Sequence, residues 1–245
     1  MPRFEPATLP RTKAWRQVLH LLSVDGTIPQ IAAATVVAAR LAFRTAEEDP
    51  TLLRTEAFLE ALRPTSDVEE LGAQLREHIS DLRNPITALE LLGAIPNALI
   101  RDGEERGNSA LAELATLALT EVLSEAFRGK GLDPFDAGAC QIMRALNVLT
   151  RPDQKHRLRA SFWGVFLYRS LQYFLSRETS NRVGERRRFR SSAELETWCH
   201  QLKDYCLGMA ESFLGLRRVV HRFSPQLHIE DERILPALIK CVADA

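Results

Sequence analysis

Apolar residues along this chain of 245 residues recur at spacings of three and four, not two, and that period admits helices and little else. Val68, Leu71, Leu75, Ile79 and Leu82 form one such seam, with Glu69, Glu70, Glu77 and Asp81 around it. Leu195, Trp198, Cys199, Leu202, Cys206, Met209 and Phe213 form another. No stretch alternates as a half-buried strand does, and no fixed-length repeat is present. The expected fold class is all-α, a multi-helix bundle of roughly nine or ten helices without a β-sheet.

Start and stop signals divide the chain further. A first helix follows Pro10 and ends at the Asp25-Gly26 turn; Thr27 and Pro29 open a second, rich in small residues, from Ile28 to Phe43. Asp49-Pro50 begins the next, Ser66 with Glu69 is read as a capping box, and Asn84-Pro85 and Asp133-Pro134 restart the chain twice more. The polar run 102–108 and the glycine-bearing stretch 129–134 are breaks. The expected division is an acidic N-terminal half, 1–130, and a basic C-terminal half, 131–245, either as two units or as one continuous domain.

Formal charge is zero overall, from 32 basic and 32 acidic residues, yet the signs are segregated. Between Thr45 and Glu125 there are 17 acidic residues against 6 arginines; between Arg151 and Arg222 there are 15 basic residues against 7 acidic ones. Arginine outnumbers lysine 27 to 5, which suits bidentate contacts to phosphate or carboxylate, although an Ala/Leu/Arg-rich composition produces the same excess.

The most aromatic stretch, Arg157 to Arg177, has one face of Trp163, Leu167, Leu171, Phe174 and Leu175 that reads as core. Its opposite face interleaves Phe162, Phe166 and Tyr173 with Arg159, Arg169 and Arg177, a pattern able to stack bases and hold phosphates. A second layer of helices over the rings, with the arginines meeting carboxylates, explains the same pattern. Beyond it, 179–190 lacks a core-facing period and carries Arg182, Arg186, Arg187, Arg188 and Arg190. These arginines with Phe162, Phe166 and Tyr173 are the candidate contact residues for nucleic acid or a protein partner.

No named chemistry is expected. The histidines and cysteines lack zinc spacing, no Walker pattern or GxSxG occurs, and adjacent carboxylates such as Glu69-Glu70 point apart on a helix, so no metal, cofactor or catalytic residue is assigned. Cys140, Cys199, Cys206 and Cys241 fall in helical patterns and read as reduced core thiols. The first residues, MPRFEPATLPRTKAW, do not read as a secretory leader, and Ile28 to Phe43 is too short and too weakly apolar to span a bilayer, so a cytoplasmic, membrane-free protein is expected.

Helical ribonucleases of the HEPN type place an arginine and a histidine four to six residues apart, as do Arg151 with His156 and Arg222 with His228. Chance alone gives about two such pairs at this arginine content, and Pro152 departs from the polar residue usual after that arginine. The expected function is therefore a non-enzymatic helical adaptor, or subunit of a larger assembly, whose basic half contacts nucleic acid. The alternatives are a ribonuclease of that helical type, or self-association through the acidic and basic halves.

Overall fold

The structure, a computed structural model, describes residues 12–79, 87–101, 110–133, 137–223 and 233–245. Among the described residues the fold is all-helical: α1 (Lys13–Ser23), α2 (Ile28–Ala38), α3 (Arg40–Glu47), α4 (Pro50–Ala61), α5 (Val68–Arg76), α6 (Ala88–Arg101), α7 (Ala110–Arg128), α8 (Ala139–Leu149), α9 (Pro152–Ser180), α10 (Ser192–Phe223) and α11 (Ile234–Ala243). One isolated bridge, Val183 to Phe189, is the sole extended pairing among those residues. None of the described helices is long and apolar enough to cross a membrane.

The chain forms two compact units, one of Met1–Glu47 with Trp163–Ala245 and one of Glu48–Phe162. The expected division at 130/131 falls inside the second, between α7 and α8. By sequence the first unit has 19 basic and 13 acidic residues and the second 13 basic and 19 acidic, net charges of +6 and −6.

In the first unit, Thr12 caps α1 by accepting from the Trp15 N–H at 3.2 Å, and Trp15, Val18 and Leu22 are buried along one face. Asp25, at φ 54°, turns the chain, and the Gly26 N–H returns to the Leu21 carbonyl at 2.8 Å. Gln30 then accepts from the Thr27 N–H at 3.0 Å and opens α2, which packs on α1, α3, α10 and α11. Small side chains on α2 permit that many neighbours. The helix expected from Ile28 to Phe43 is in fact two, broken at Ala39, and no residue type at 38–40 marks the break. Gly164 of α9 meets α10 so closely that a Cβ there would lie 2.8 Å from Leu207 Cα.

In the second unit, α4 packs on α6 and α7, and α5 on α8. The cap of α5 lies one residue later than expected. Asp67, not Ser66, accepts from the Glu70 N–H at 2.8 Å, while Ser66 donates its N–H and hydroxyl to Glu70 at 2.6 and 2.9 Å. Because α5 ends at Arg76, its seam is shorter than the sequence pattern; Leu71, Leu75 and Ile79 are buried, and Leu82 lies outside the described residues. Asn147 holds the loop before α5 by accepting from the Thr65 N–H at 2.9 Å and donating to the Thr65 carbonyl at 2.7 Å. The restarts at Asn84-Pro85 and Pro134, the loop 102–108 and the Ser224-Pro225 step also lie outside the described residues.

Candidate functional site

The face of α9 expected to stack and hold a nucleic acid is already occupied. Phe162 and Phe166 are both 0% exposed, so neither ring offers a surface to a ligand. This corrects their assignment as contact residues, and the reason is circumferential burial: Val165, on neither expected face, is buried too. Arg159 pairs with Glu60 and, at 3.6 Å, with Glu56 on α4. Its guanidinium thus meets carboxylates of the chain itself, the alternative reading of this face. Tyr173 is half-buried with its ring edge on Phe174, centroids 5.3 Å apart, and Arg169 is half-buried.

What stays exposed is at the end of α9 and in the turn after it. Helix α9 stops at Ser180, and the following segment closes on itself: the Phe189 N–H donates to the Arg182 carbonyl at 3.0 Å, and the Gly184 N–H to the Phe189 carbonyl at 2.8 Å. The buried Phe189 ring pins the turn against Trp198 of α10, centroids 5.7 Å apart. Ser191 accepts from the Glu194 N–H at 3.3 Å, and Glu194 reaches back to the Arg190 N–H at 2.6 Å, starting α10.

The arginines of this turn divide into two kinds. Arg188 donates to the carbonyls of Leu21 (3.2 Å) and Gly26 (2.7 Å), lies 3.8 Å from Asp25, and rests 5.6 and 5.9 Å from the Phe189 and Trp198 ring centroids. Arg182 donates to the Leu19 carbonyl at 3.2 Å. Both therefore add a charged donor to carbonyls in or just past the last turns of α1, the end at which the helix dipole favours cations. Burial pulls the Arg188 pKa down, Asp25 opposes that and Arg182 adds to it. By contrast Arg177, Arg186, Arg187 and Arg190 are exposed. Arg187 donates to the Asn181 carbonyl, and Arg186 sits at φ 61°, a left-handed conformation that side chains other than glycine, Asn and Asp rarely take.

Between the turn and the end of α1 lies an open cavity of about 510 Å³, within the range of ligand sites. Arg182, Arg186, Arg187 and Arg188 line it with Asp25 and Glu178, a formal net charge of +2. Sequence reasoning picked out the arginines and missed Asp25, Glu178 and Asn181. Asp25 was legible only as a turn residue, because its position beside the arginine turn depends on α1 packing next to the end of α9.

Among the described residues no group of three or more His, Cys, Asp or Glu side chains could hold a metal ion. Cys206 is buried, with its thiol pKa pushed up by burial, and Cys199 is half-buried; Cys140 and Cys241 are exposed, which corrects their reading as core residues. The Arg151 carbonyl accepts from the Lys155 N–H at 2.7 Å at the start of α9, with His156 half-buried in the helix, while the Arg222 side chain and His228 lie outside the described residues. No protein-family model matches this chain, and comparison with curated proteins and with solved structures gives no match.

Proposed function

We propose that the protein is a non-enzymatic helical binding subunit that meets nucleic acid through phosphate contacts made by the arginine turn. The observation that carries this reading is the division of labour within the turn. Arg182 and Arg188 are used to hold it on α1, and Arg177, Arg186, Arg187 and Arg190 are left facing solvent in a unit of net charge +6. Exposed like charges so close together repel unless an anion screens them. Phe162 and Phe166 are buried and cannot stack a base beside these cations, and phosphate contacts carry no sequence information, so binding is expected to be insensitive to base sequence. A cytoplasmic setting belongs to the same proposal, supported by four cysteines held as free thiols.

The test is fluorescence anisotropy with single-stranded oligonucleotides of two unrelated sequences across a salt series. Both should bind alike. Replacing Arg177, Arg186, Arg187 and Arg190 by Gln should weaken binding and flatten the slope of log K against log salt by about 3, since each phosphate no longer neutralised removes roughly 0.7. Unchanged affinity in that variant would remove the turn from any role in binding.

A further inference from the structure

The cavity beside the arginine turn has properties that a flat phosphate-tracking surface does not need. It is concave, its charged lining nets +2 and not +4 because Asp25 and Glu178 share the wall, and it is built around a non-glycine residue in the left-handed region. We infer that this cavity takes a phosphate monoester, with Arg186 and Arg187 as its direct contacts. This inference rests on the reading of the arginine turn as a phosphate-contacting element and adds that the group recognised is a terminal phosphate, not the diester backbone.

Three observations converge on it. A phosphate monoester carries about 1.5 to 2 negative charges at neutral pH, which matches the net charge of the wall, whereas a diester carries one. Internal diesters have no reason to enter a concavity when exposed cations lie outside it; Arg177 and Arg190 do not line the cavity and can serve that purpose. Planar guanidinium forks suit the three free oxygens of a terminal phosphate, and Arg182 and Arg188, fixed on α1 carbonyls, keep the positive wall in place before a ligand arrives.

The backbone at Arg186 adds a further observation. Its φ of 61° strains any residue with a Cβ, and the turn holds it there between Gly184, at φ 135°, and the anchored Arg188. A glycine would fit the backbone better, so an arginine at this position points to a use for its side chain. Glu178 and Asn181, also on the wall, can hydrogen-bond the alcohol portion of the ester.

The experiment compares a 5′-phosphorylated oligonucleotide with its 5′-hydroxyl counterpart, and inorganic phosphate with a mononucleoside monophosphate as competitors, on the full chain. The phosphorylated strand should bind about tenfold more tightly, and the small monoester should compete away that advantage alone. R186G should abolish the preference while keeping or raising the thermal midpoint; R187A, which at an exposed site gives up only its bond to the Asn181 carbonyl, should abolish it with little change in midpoint. Binding of the small monoester with neither oligonucleotide bound would assign the cavity to a small phosphorylated metabolite and overturn the nucleic-acid reading. Equal, salt-dependent binding of both strands, unaffected by phosphate, would keep the nucleic-acid reading and overturn this one. A phosphopeptide binding in preference to every nucleotide would overturn both, as would no binding of any probe.

Discussion

At the scale of single residues, Arg188 and Arg190 are two positions apart in the same basic run and are physically opposite. Arg188 places charged donors on two backbone carbonyls with its side chain only 10% exposed, and Arg190 is exposed. Hydrogen bonds from a charged group are worth about 1.5–3 kcal/mol, so Arg188→Ser should lower the free energy of unfolding by about that amount in a denaturant titration. Arg190→Ser should stay within about 0.5 kcal/mol of the parent. Equal losses in the two variants would show that the α1 contacts carry no stability. The cysteines separate in the same way: a thiol-alkylating reagent should modify Cys140 and Cys241 in the native chain and reach Cys206 only on unfolding, because burial both blocks access to that thiol and disfavours its thiolate. Neither distinction was legible in the sequence. A run of arginines gives each the same local pattern, and what separates them is the position of α1, which arrives from more than 150 residues earlier.

At the scale of elements, the helical class and the starts marked by Thr27 and by Asp49-Pro50 were legible, while the break at Ala39 and the edge between two adjacent capping residues were not, because apolar period survives a shift of one residue and capping does not. The cap of α5 illustrates it: Ser66 and Asp67 are both good N-cap residues, and the choice is made by Glu70 folding back onto the Ser66 N–H. That geometry holds both carboxyls below their ordinary values, Asp67 chiefly through the Glu70 backbone N–H and Glu70 chiefly through the Ser66 backbone N–H. A lowered folded pKa contributes stability above the unfolded pKa and loses it as pH falls through the folded one. Acidification below about pH 4 should therefore lower the thermal midpoint, and Asp67→Asn, which keeps a capping oxygen without a titrating charge, should lessen that loss. Helix contact gives a second element-scale prediction. Gly164→Ala would set its Cβ 2.8 Å from Leu207 Cα and should destabilise by about 1–3 kcal/mol, whereas Gly208→Ala on α10 has open space and should stabilise by up to about 1 kcal/mol. Thermal denaturation of the pair decides whether α9 and α10 approach that tightly.

At the scale of the whole molecule, segregation of charge was legible in the sequence while the unit boundary was not. A linear reading compares one half of the chain with the other, but the basic unit is discontinuous: it joins the first helices to the last ones and leaves the acidic segment 48–162 as an insertion between them. Counting by unit gives +6 and −6 in a chain whose formal charge is zero and whose isoelectric point is near 7.0. A neutral molecule carrying two oppositely charged units has nothing long-ranged to keep its copies apart, and the basic unit of one copy attracts the acidic unit of another. Sedimentation velocity at neutral pH should accordingly show concentration-dependent self-association at low ionic strength. Screening shortens the range of that attraction to about 10 Å at 0.1 M salt, so association should weaken steeply up to that point and little beyond it. Displacing the isoelectric point in either direction should reduce self-association, but only changes on the basic unit should also reduce oligonucleotide binding. Glutamine at Arg177, Arg186, Arg187 and Arg190 would leave net charges of +2 and −6, and it should make the protein more monomeric at low salt while it weakens nucleic-acid binding. Glutamine at four exposed acidic positions of the other unit, Glu48, Glu69, Glu77 and Glu125, would leave +6 and −2, with self-association reduced and oligonucleotide affinity preserved. Self-association that ignores both sets of substitutions and persists at high salt would instead have an apolar origin, and the charge of the units would then have no part in bringing copies together.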